Sequence, residues 1–377
     1  MKSSNIPFLG YILRAINIIA MLALLFAYLS QYVSPNSIWF LAFFGLSYPI
    51  WLFVNIYFVF HWAFNKKLFA LFPLLILLLG YRMPGKYFRL DWNDKIFSES
   101  KSFKVMTYNV HDFNYYNLNK ESGDSAVEMI LEFINANKPD IICFQEFYSN
   151  DRKNNFKRFK VFNDYKYYSR FNYNERSKSL YIVIYSKFPI LHDAAIVNAT
   201  DNKDITGIYA DINVGEKIVR VFNVHLNSTQ ISSKAYLLKD EYNVDEKDMI
   251  KAATGAKAIA GRLRNGFKKR SLQADLLQQY FESSPYPIVV AGDFNDTPCS
   301  YVYRKISSKF VDSFIESGSG FCTTYRGPYP SFRIDYILHD DFILSNSFEK
   351  GSIKVSDHYP ISCTMNFNKT EDSNNGQ

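Results

Sequence analysis

Apolar residues follow two regimes along this chain. Up to Tyr81 they form three long runs, over 8–30, 38–60 and 66–81. Beyond residue 102 they come in runs of about five to eight, rich in Val, Ile, Phe and Tyr and separated by turns, as in a mixed α/β domain. The second long run, "IWFLAFFGLSYPIWLFVNIYFVF", carries no charge over more than the roughly 20 residues a helix needs to cross hydrocarbon. Trp39, Trp51 and Tyr57 suit its interfaces. The first run contains Arg14, which can snorkel from a position near a helix end, and has no small-residue cleavage site of a secretory leader. The third is short and holds Pro73, so it either crosses a thin stretch of bilayer or lies in the interface.

These runs predict a multi-pass membrane anchor of about three helices over 1–81, placing the chain in a cell membrane. Lys2, Lys66 and Lys67 share one side of such an anchor, and the loop over 31–37 on the other side is uncharged. That asymmetry predicts a cytoplasmic N-terminus and an extracytoplasmic remainder, while Arg82, Lys86 and Arg89 argue for the reverse. A connector follows over 82–102, then a domain over 103–367 and a polar tail over 368–377, expected to be disordered. Within the domain, a capping box at Ser125 and Glu128 predicts a helix that Pro139 closes. A longer helix is expected from about Met249 to Phe281.

Composition narrows this further. At 48% apolar and 21% charged over 377 residues, the chain has enough core to fold. Its four cysteines show no CxxC or paired spacing that would announce a metal site or disulfide frame. The net charge of +7 and the basic residues Lys251, Lys257, Arg262, Arg264, Lys268, Lys269 and Arg270 would attract nucleic-acid phosphates or anionic headgroups, although such a helix is also an ordinary solvated face.

The chemistry lies where apolar strands end. "FKVMTYNV" delivers Asn109, "PDIICFQEF" Glu146, "VRVFNVHLN" His225 and Asn227, "PIVVAGDFND" Asp293, Asn295 and Asp296, "FRIDYIL" Asp335, and "VSDHYPI" Asp357 and His358. Singly, each has an ordinary reading as a turn former, a surface charge or a hydrogen-bonded core histidine. Burying such groups without partners costs several kcal/mol each, so a sheet that does it repeatedly satisfies them with one another, with water or with an ion.

In that order the motifs "TYNV", "QE", "YSKFPI", "VFNVHL", "GDFND", "RIDYIL" and "SDHYPI" resemble the endonuclease/exonuclease/phosphatase superfamily over Phe103 to about Phe367. The resemblance implies a four-layer α/β/β/α sandwich of the DNase I-like kind, preceded here by the transmembrane region. It implies a divalent-metal-dependent phosphoesterase attacking phosphodiester bonds in line with water. Mg²⁺, or Mn²⁺ in its place, would be held by Glu146, Asn109 and Asp357. Asp335 would fix the tautomer of His358, Asp293 would orient or deprotonate the water, Asn295 would hold a phosphate oxygen or that water, and Asp296 would tie the turn. The base is left open between Asp293 and His358. His225 would protonate the leaving oxygen or bind the phosphate, with Glu175 comparably placed to an orienting glutamate, and Asn227 near the substrate. Nuclease-like action on nucleic acid leads, with a sphingomyelinase-like headgroup phosphodiesterase or a phosphatase as the alternative and a non-catalytic membrane-tethered binding protein as the remaining reading. No protein partner is implied.

Overall fold

The computed structural model describes residues 8–90, 102–114, 120–148, 164–173, 180–197, 205–229, 246–327 and 332–368. Glu175 and nearly all of the expected tail lie outside the described residues. By packing, the chain divides into two compact units that do not follow chain order. One comprises Met1–Pro84, Thr229–Ser271 and Thr297–Arg304, and the other Gly85–Ser228, Leu272–Asp296 and Lys305–Gln377.

The first unit is built on α1 (Phe8–Leu29), α2 (Leu41–Leu46), α3 (Tyr48–Phe64) and α4 (Leu71–Leu79). At 1.5 Å per residue α1 is about 33 Å long, enough to cross hydrocarbon. Among the described residues it is the single helix that passes that test. The second apolar run is not one helix but two. Ser47 Oγ caps back onto Phe43 O at 2.7 Å, and Pro49, which has no N–H, opens α3. The third run gives the nine residues of α4 after a short 3₁₀ turn over Leu68–Ala70. Within this unit Ser30 Oγ donates to Cys299 O at 3.0 Å, Asn36 Nδ2 to Ser271 Oγ at 2.7 Å, and Phe43 meets Phe267 edge to face.

The second unit is a sandwich of two six-stranded mixed sheets. One has the order β13 (Ile343–Lys350), β14 (Ile361–Phe367), β2 (Ser102–Asn109), β3 (Ile141–Tyr148), β5 (Leu180–Ser186), β4 (Tyr167–Asn172). The other runs β10 (Val311–Asp312), β12 (Asp335–His339), β9 (Ile288–Asp293), β8 (Lys217–His225), β7 (Ile205–Val214), β6 (Ile190–Val197). A two-residue strand β1 (Phe88–Arg89) pairs with β11 (Gly320–Phe321). Strand alternation sends Val105, Ile141 and Ile184 from one sheet and Val221, Val289 and Ile337 from the other into a shared core. The opposite parity, Met106, Ile142 and Phe144, packs under α5 (Lys120–Asn137), which starts at Lys120 and not at Ser125. On the far sheet Phe222 meets Phe281 of α6 (Glu246–Glu282) edge to face at 4.9 Å, completing four layers. All four cysteines are free and buried.

One polar element crosses the interior. Gln145 Nε2 donates to Asn223 Oδ1 at 2.6 Å and to Thr107 Oγ1 at 2.9 Å, while Asn223 Nδ2 donates to Phe144 O and Val183 O. It joins β3 to β8 across the core, one residue before Glu146 and two before Asn109 and His225.

Candidate active site

Each sheet has one parallel pair at its centre, β2 with β3 and β8 with β9. The C-terminal ends of all four strands meet at one edge of the sandwich, as the 3.1 Å bond from Asn109 Nδ2 to Asp293 Oδ2 across the two sheets shows. Antiparallel β12 and β14 bring their starts to the same edge. Asp335 pairs with Asp293 in register, and His358 precedes β14, whose first residue pairs with Thr107.

Local backbone aims the side chains. Gly292 has φ +144°, and a Cβ there would lie 2.0 Å from Val224 O, so only glycine lets β9 approach β8 just before Asp293 and His225. A β-bulge between Phe144 and Phe147 inserts an extra residue and turns Glu146, at φ +50°, out of the ladder. Asn295 is likewise left-handed, at φ +51°. Non-glycine residues held in this region cost stability, and here two of them present their side chains to the same carboxylate edge.

Asp293, fully buried, is the hub. Its Oδ1 accepts from Asn295 N at 2.8 Å, and its Oδ2 from the side-chain amides of Asn109 and Asn295 at 3.1 Å each. The same Oδ2 lies 3.7 Å from Nε2 of both His225 and His358. Each ring is held at its other nitrogen. His358 Nδ1 faces Asp335 Oδ2 at 2.9 Å and Oδ1 at 3.1 Å, so it carries a proton. His225 Nδ1 lies 2.8 Å from the Tyr173 hydroxyl, which also accepts the Glu146 N–H at 3.1 Å. The hydroxyl proton goes to Nδ1, leaving Nε2 of His225 to carry the ring proton toward Glu146 Oε1, 3.5 Å away, and Asp293. Asp335 is fixed in turn by its N–H to Thr324 Oγ1 at 3.0 Å.

Burial dominates the Asp293 carboxyl and, against the pull of His358 and His225, pushes it up to about 6. Burial also works against the His358 imidazolium, but the charges of Asp335 and Asp293 and the Asp335 hydrogen bond outweigh it, and the ring is pushed up to about 10. At the rim, the hydrogen bond to Asp357 raises His111 to about 9 against the cost of burial. Burial would raise Asp357, yet the bond from His111 and the His358 charge hold it below the usual carboxylate range. That pair is 3.1 Å apart.

Asn109, Glu146, His225, Asp293, Asn295, Asp335 and His358 therefore form one connected set, and Asp357 adjoins it between His358 and His111. Asn227 lies two residues past His225, its N–H donating to Gln273 Oε1 at 2.9 Å. Asp296, nearly buried, has its carbonyl bound by the Tyr336 hydroxyl at 2.9 Å. The pattern of polar strand ends did not single out Tyr173, Thr324, His111 or Ser356, whose Oγ donates to Asn109 O at 2.8 Å. His111 sits inside the motif segment "NVHDF", where an imidazole two residues past Asn109 was the available signal.

In the donor set, four carboxylates and an amide oxygen gather at one half-closed edge, oxygen ligands of the kind a hard divalent cation takes. Among the described residues, ligand atoms of Asp293, Asp335 and His358 all lie within 4.8 Å of one another, but His358 is protonated and bonded to Asp335, so the donors that suit a hard cation are the oxygens of Glu146, Asp357 and Asn109.

A family model described as the Endonuclease/Exonuclease/phosphatase family matches residues 106–358, and a model of a domain of unknown function, DUF8431, matches residues 10–87. No curated protein matches the chain. Among solved structures, an endonuclease/exonuclease/phosphatase from Bacteroides vulgatus is 17% identical with a TM-score of 0.50, over 71% of this chain and 99% of its own. The human Nocturnin catalytic domain with bound sulfate anion is 18% identical with a TM-score of 0.51, over 74% of this chain and 97% of its own. At such identity these two likenesses concern the fold.

Proposed function

Because the chain belongs to the endonuclease/exonuclease/phosphatase family and is thereby a phosphoric ester hydrolase, we propose that it cleaves phosphodiester bonds with the aid of a divalent cation, from a membrane. The observation that carries the reading is the pair of imidazoles placed 3.7 Å from one buried carboxylate oxygen, each ring held at its far nitrogen. A structural core has no use for two oriented ring N–H groups aimed at one acid.

Glu146 and Asn109, with Asp357, would hold Mg²⁺ or Mn²⁺, which supplies charge neutralisation on the phosphoryl oxygens. Asp293, pushed up to about 6, accepts the proton of the attacking water, and Asn295 keeps that carboxylate turned inward. His358, still protonated near neutrality because Asp335 and Asp293 support its charge, donates to a phosphoryl oxygen and is thus the donor and not the base. His225 Nε2–H stands on the Glu146 side, where the neutral ring donates a hydrogen bond to a phosphate oxygen, and the leaving oxygen takes its proton from solvent. Glu175 and Asn227 remain candidates for contact with the substrate.

Support for the membrane comes from the first unit. Leu9, Ile19, Phe53, Phe64, Leu68 and Leu79 are each more than half exposed, a larger apolar surface than a soluble monomer leaves to water. On this proposal α1 crosses, α3 and α4 enter alongside it, and the active site faces the extracytoplasmic side. A topology reporter fused after Lys101 reads that side directly. Nucleic acid is the leading substrate class, and the apolar surface favours a lipid headgroup diester as the second.

The activity test is Mg²⁺-dependent turnover of plasmid DNA, sphingomyelin vesicles and a simple phosphomonoester by the full chain. Diester cleavage is expected, and cleavage of the monoester alone would overturn the reading. Glu146→Ala and His358→Ala are each expected to lower turnover by about 10²–10⁴-fold with an unchanged unfolding midpoint. Activity retained in either variant removes that residue from its role.

A further inference from the structure

The N-terminal unit carries a cation for which its described side chains provide no counter-ion. Arg14 of α1 makes no ion pair among the described residues, and its Nε is buried without an acceptor. The guanidinium carbon lies 5.5 Å from the centroid of the Phe69 ring and 6.0 Å from that of Trp62, distances at which ring faces hold a cation. Trp62 is itself fixed, its indole N–H donating to Asn17 Oδ1 at 2.9 Å, and the Nδ2 of fully buried Asn17, one turn from Arg14, is left unpaired.

That bond, with the one from Asn55 Nδ2 to Ala20 O at 3.0 Å, sets α3 antiparallel to α1. The end of α1 that carries Arg14 is therefore the end at which α3 finishes. There the chain reverses through Lys66, at φ +55°, and leaves Lys66 and Lys67 exposed between Phe64 and Leu68, each 83% exposed. Residues 1–90 hold seven Lys and Arg and no Asp or Glu, so the whole formal charge of +7 resides in this stretch and the rest of the chain is balanced.

Two of the most exposed apolar side chains beside two lysines and an unpaired arginine make a poor water-facing surface. They match a leaflet boundary, where apolar groups enter the acyl region and cations meet phosphates. Arginine at the half-buried point supplies the planar fork that takes a phosphate bidentately, which lysine lacks. With no carboxylate paired to Arg14 among the described residues, the excess positive charge selects a lipid of net negative charge over a zwitterionic one.

We infer that this end of the α1, α3 and α4 bundle binds the phosphate of an anionic phospholipid, with Arg14 ligating it and Lys66 and Lys67 flanking it. The inference rests on the reading of the first unit as membrane-embedded. The full chain is reconstituted into vesicles of phosphatidylcholine alone and of phosphatidylcholine with phosphatidylglycerol, re-extracted in mild detergent, and its retained lipid identified by mass spectrometry. Phosphatidylglycerol is expected to be enriched over its share of the vesicle, and Arg14→Gln to lose about tenfold of that enrichment, the worth of one charge-assisted bidentate contact. Lys66→Gln with Lys67→Gln should lower retention in a salt-sensitive way, with hydrolysis in the second unit unchanged in every variant. Should Arg14→Gln not reconstitute, Arg14→Lys, which keeps the charge and loses the fork, decides with a several-fold loss expected.

Wild-type enrichment in the Arg14 variants overturns the inference, as does displacement of the lipid by excess inorganic phosphate, which would make the ligand a soluble anion. Entry into both vesicle types with no enrichment overturns it alone. Failure to enter phosphatidylcholine vesicles overturns the membrane reading as well.

Discussion

The hydroxyl of half-buried Tyr173 touches two of the groups that matter most, the His225 ring and the Glu146 backbone. It is a positioning group, since it acts through His225. Tyr173→Phe leaves the ring free to change tautomer, and is expected to lower kcat roughly tenfold with KM little changed. A rise in KM at constant kcat would mean that the hydroxyl serves substrate binding instead. The hub residues were legible in the sequence because each is a polar side chain at the end of an apolar run, a placement with a physical cost. Tyr173 was not, being one of 28 tyrosines and apolar enough to pass for core. Glu146 and Asn295 were legible as polar residues, but their left-handed backbone was not, because neither is glycine.

At the scale of elements, a half-buried carboxylate clamps three of them. Glu316 on α7 (Ser313–Ser317) accepts from Ser345 N at 2.9 Å and Ser345 Oγ at 2.7 Å on β13, and faces His339 Nε2 of β12 at 3.1 Å. Burial would raise this carboxyl, but the bonds from His339 and Ser345 prevail and hold it down from the usual 4.5 to about 2. A depressed folded value means stability that is present above about 4.5 and is lost as the pH falls toward 2. Glu316→Gln should lower the urea midpoint at pH 7 and flatten its fall between pH 5 and pH 3, the span in which this carboxyl binds a proton in the unfolded chain but not yet in the folded one. An equally steep acid loss in the variant would place the acid-sensitive group elsewhere. Strands and long helices were readable here because their periods are local. The break at Ser47 was not, since a hydroxyl folding back onto Phe43 leaves no mark on an apolar run, and α5 starts ahead of its capping signal.

At the scale of the whole molecule, chain order and compactness part company. Periodicity in sequence reports local structure, and nothing in it announces that Thr229–Ser271 and Thr297–Arg304 pack with the N-terminal helices as one unit. Fully buried Cys299 donates to Ala27 O at 3.3 Å, Phe267 is covered by Phe43, and the Arg304 guanidinium sits 4.0 Å from the Tyr32 ring centroid. The segment that starts at Thr297 follows Asp296 directly, so the loop that carries Asp293 and Asn295 is covalently continuous with a strand of contacts made by the apolar helices. A catalytic chain cut to 85–377 would then expose Phe267 and leave Cys299 unbonded, at a cost of roughly 1.5–3 kcal/mol for each large apolar side chain returned to water. It is expected to aggregate or to melt well below the full chain. A gentler probe is Gly45, where a Cβ would lie 2.3 Å from Cys299 O and 2.4 Å from Ser30 Oγ. Gly45→Val should force these apart and lower the thermal midpoint of the full chain in detergent by several degrees, with the residues of the candidate site untouched. If 85–377 is instead soluble and melts like the full chain, the N-terminal helices are dispensable to the fold of the segments they pack with, and the unit is a passive anchor.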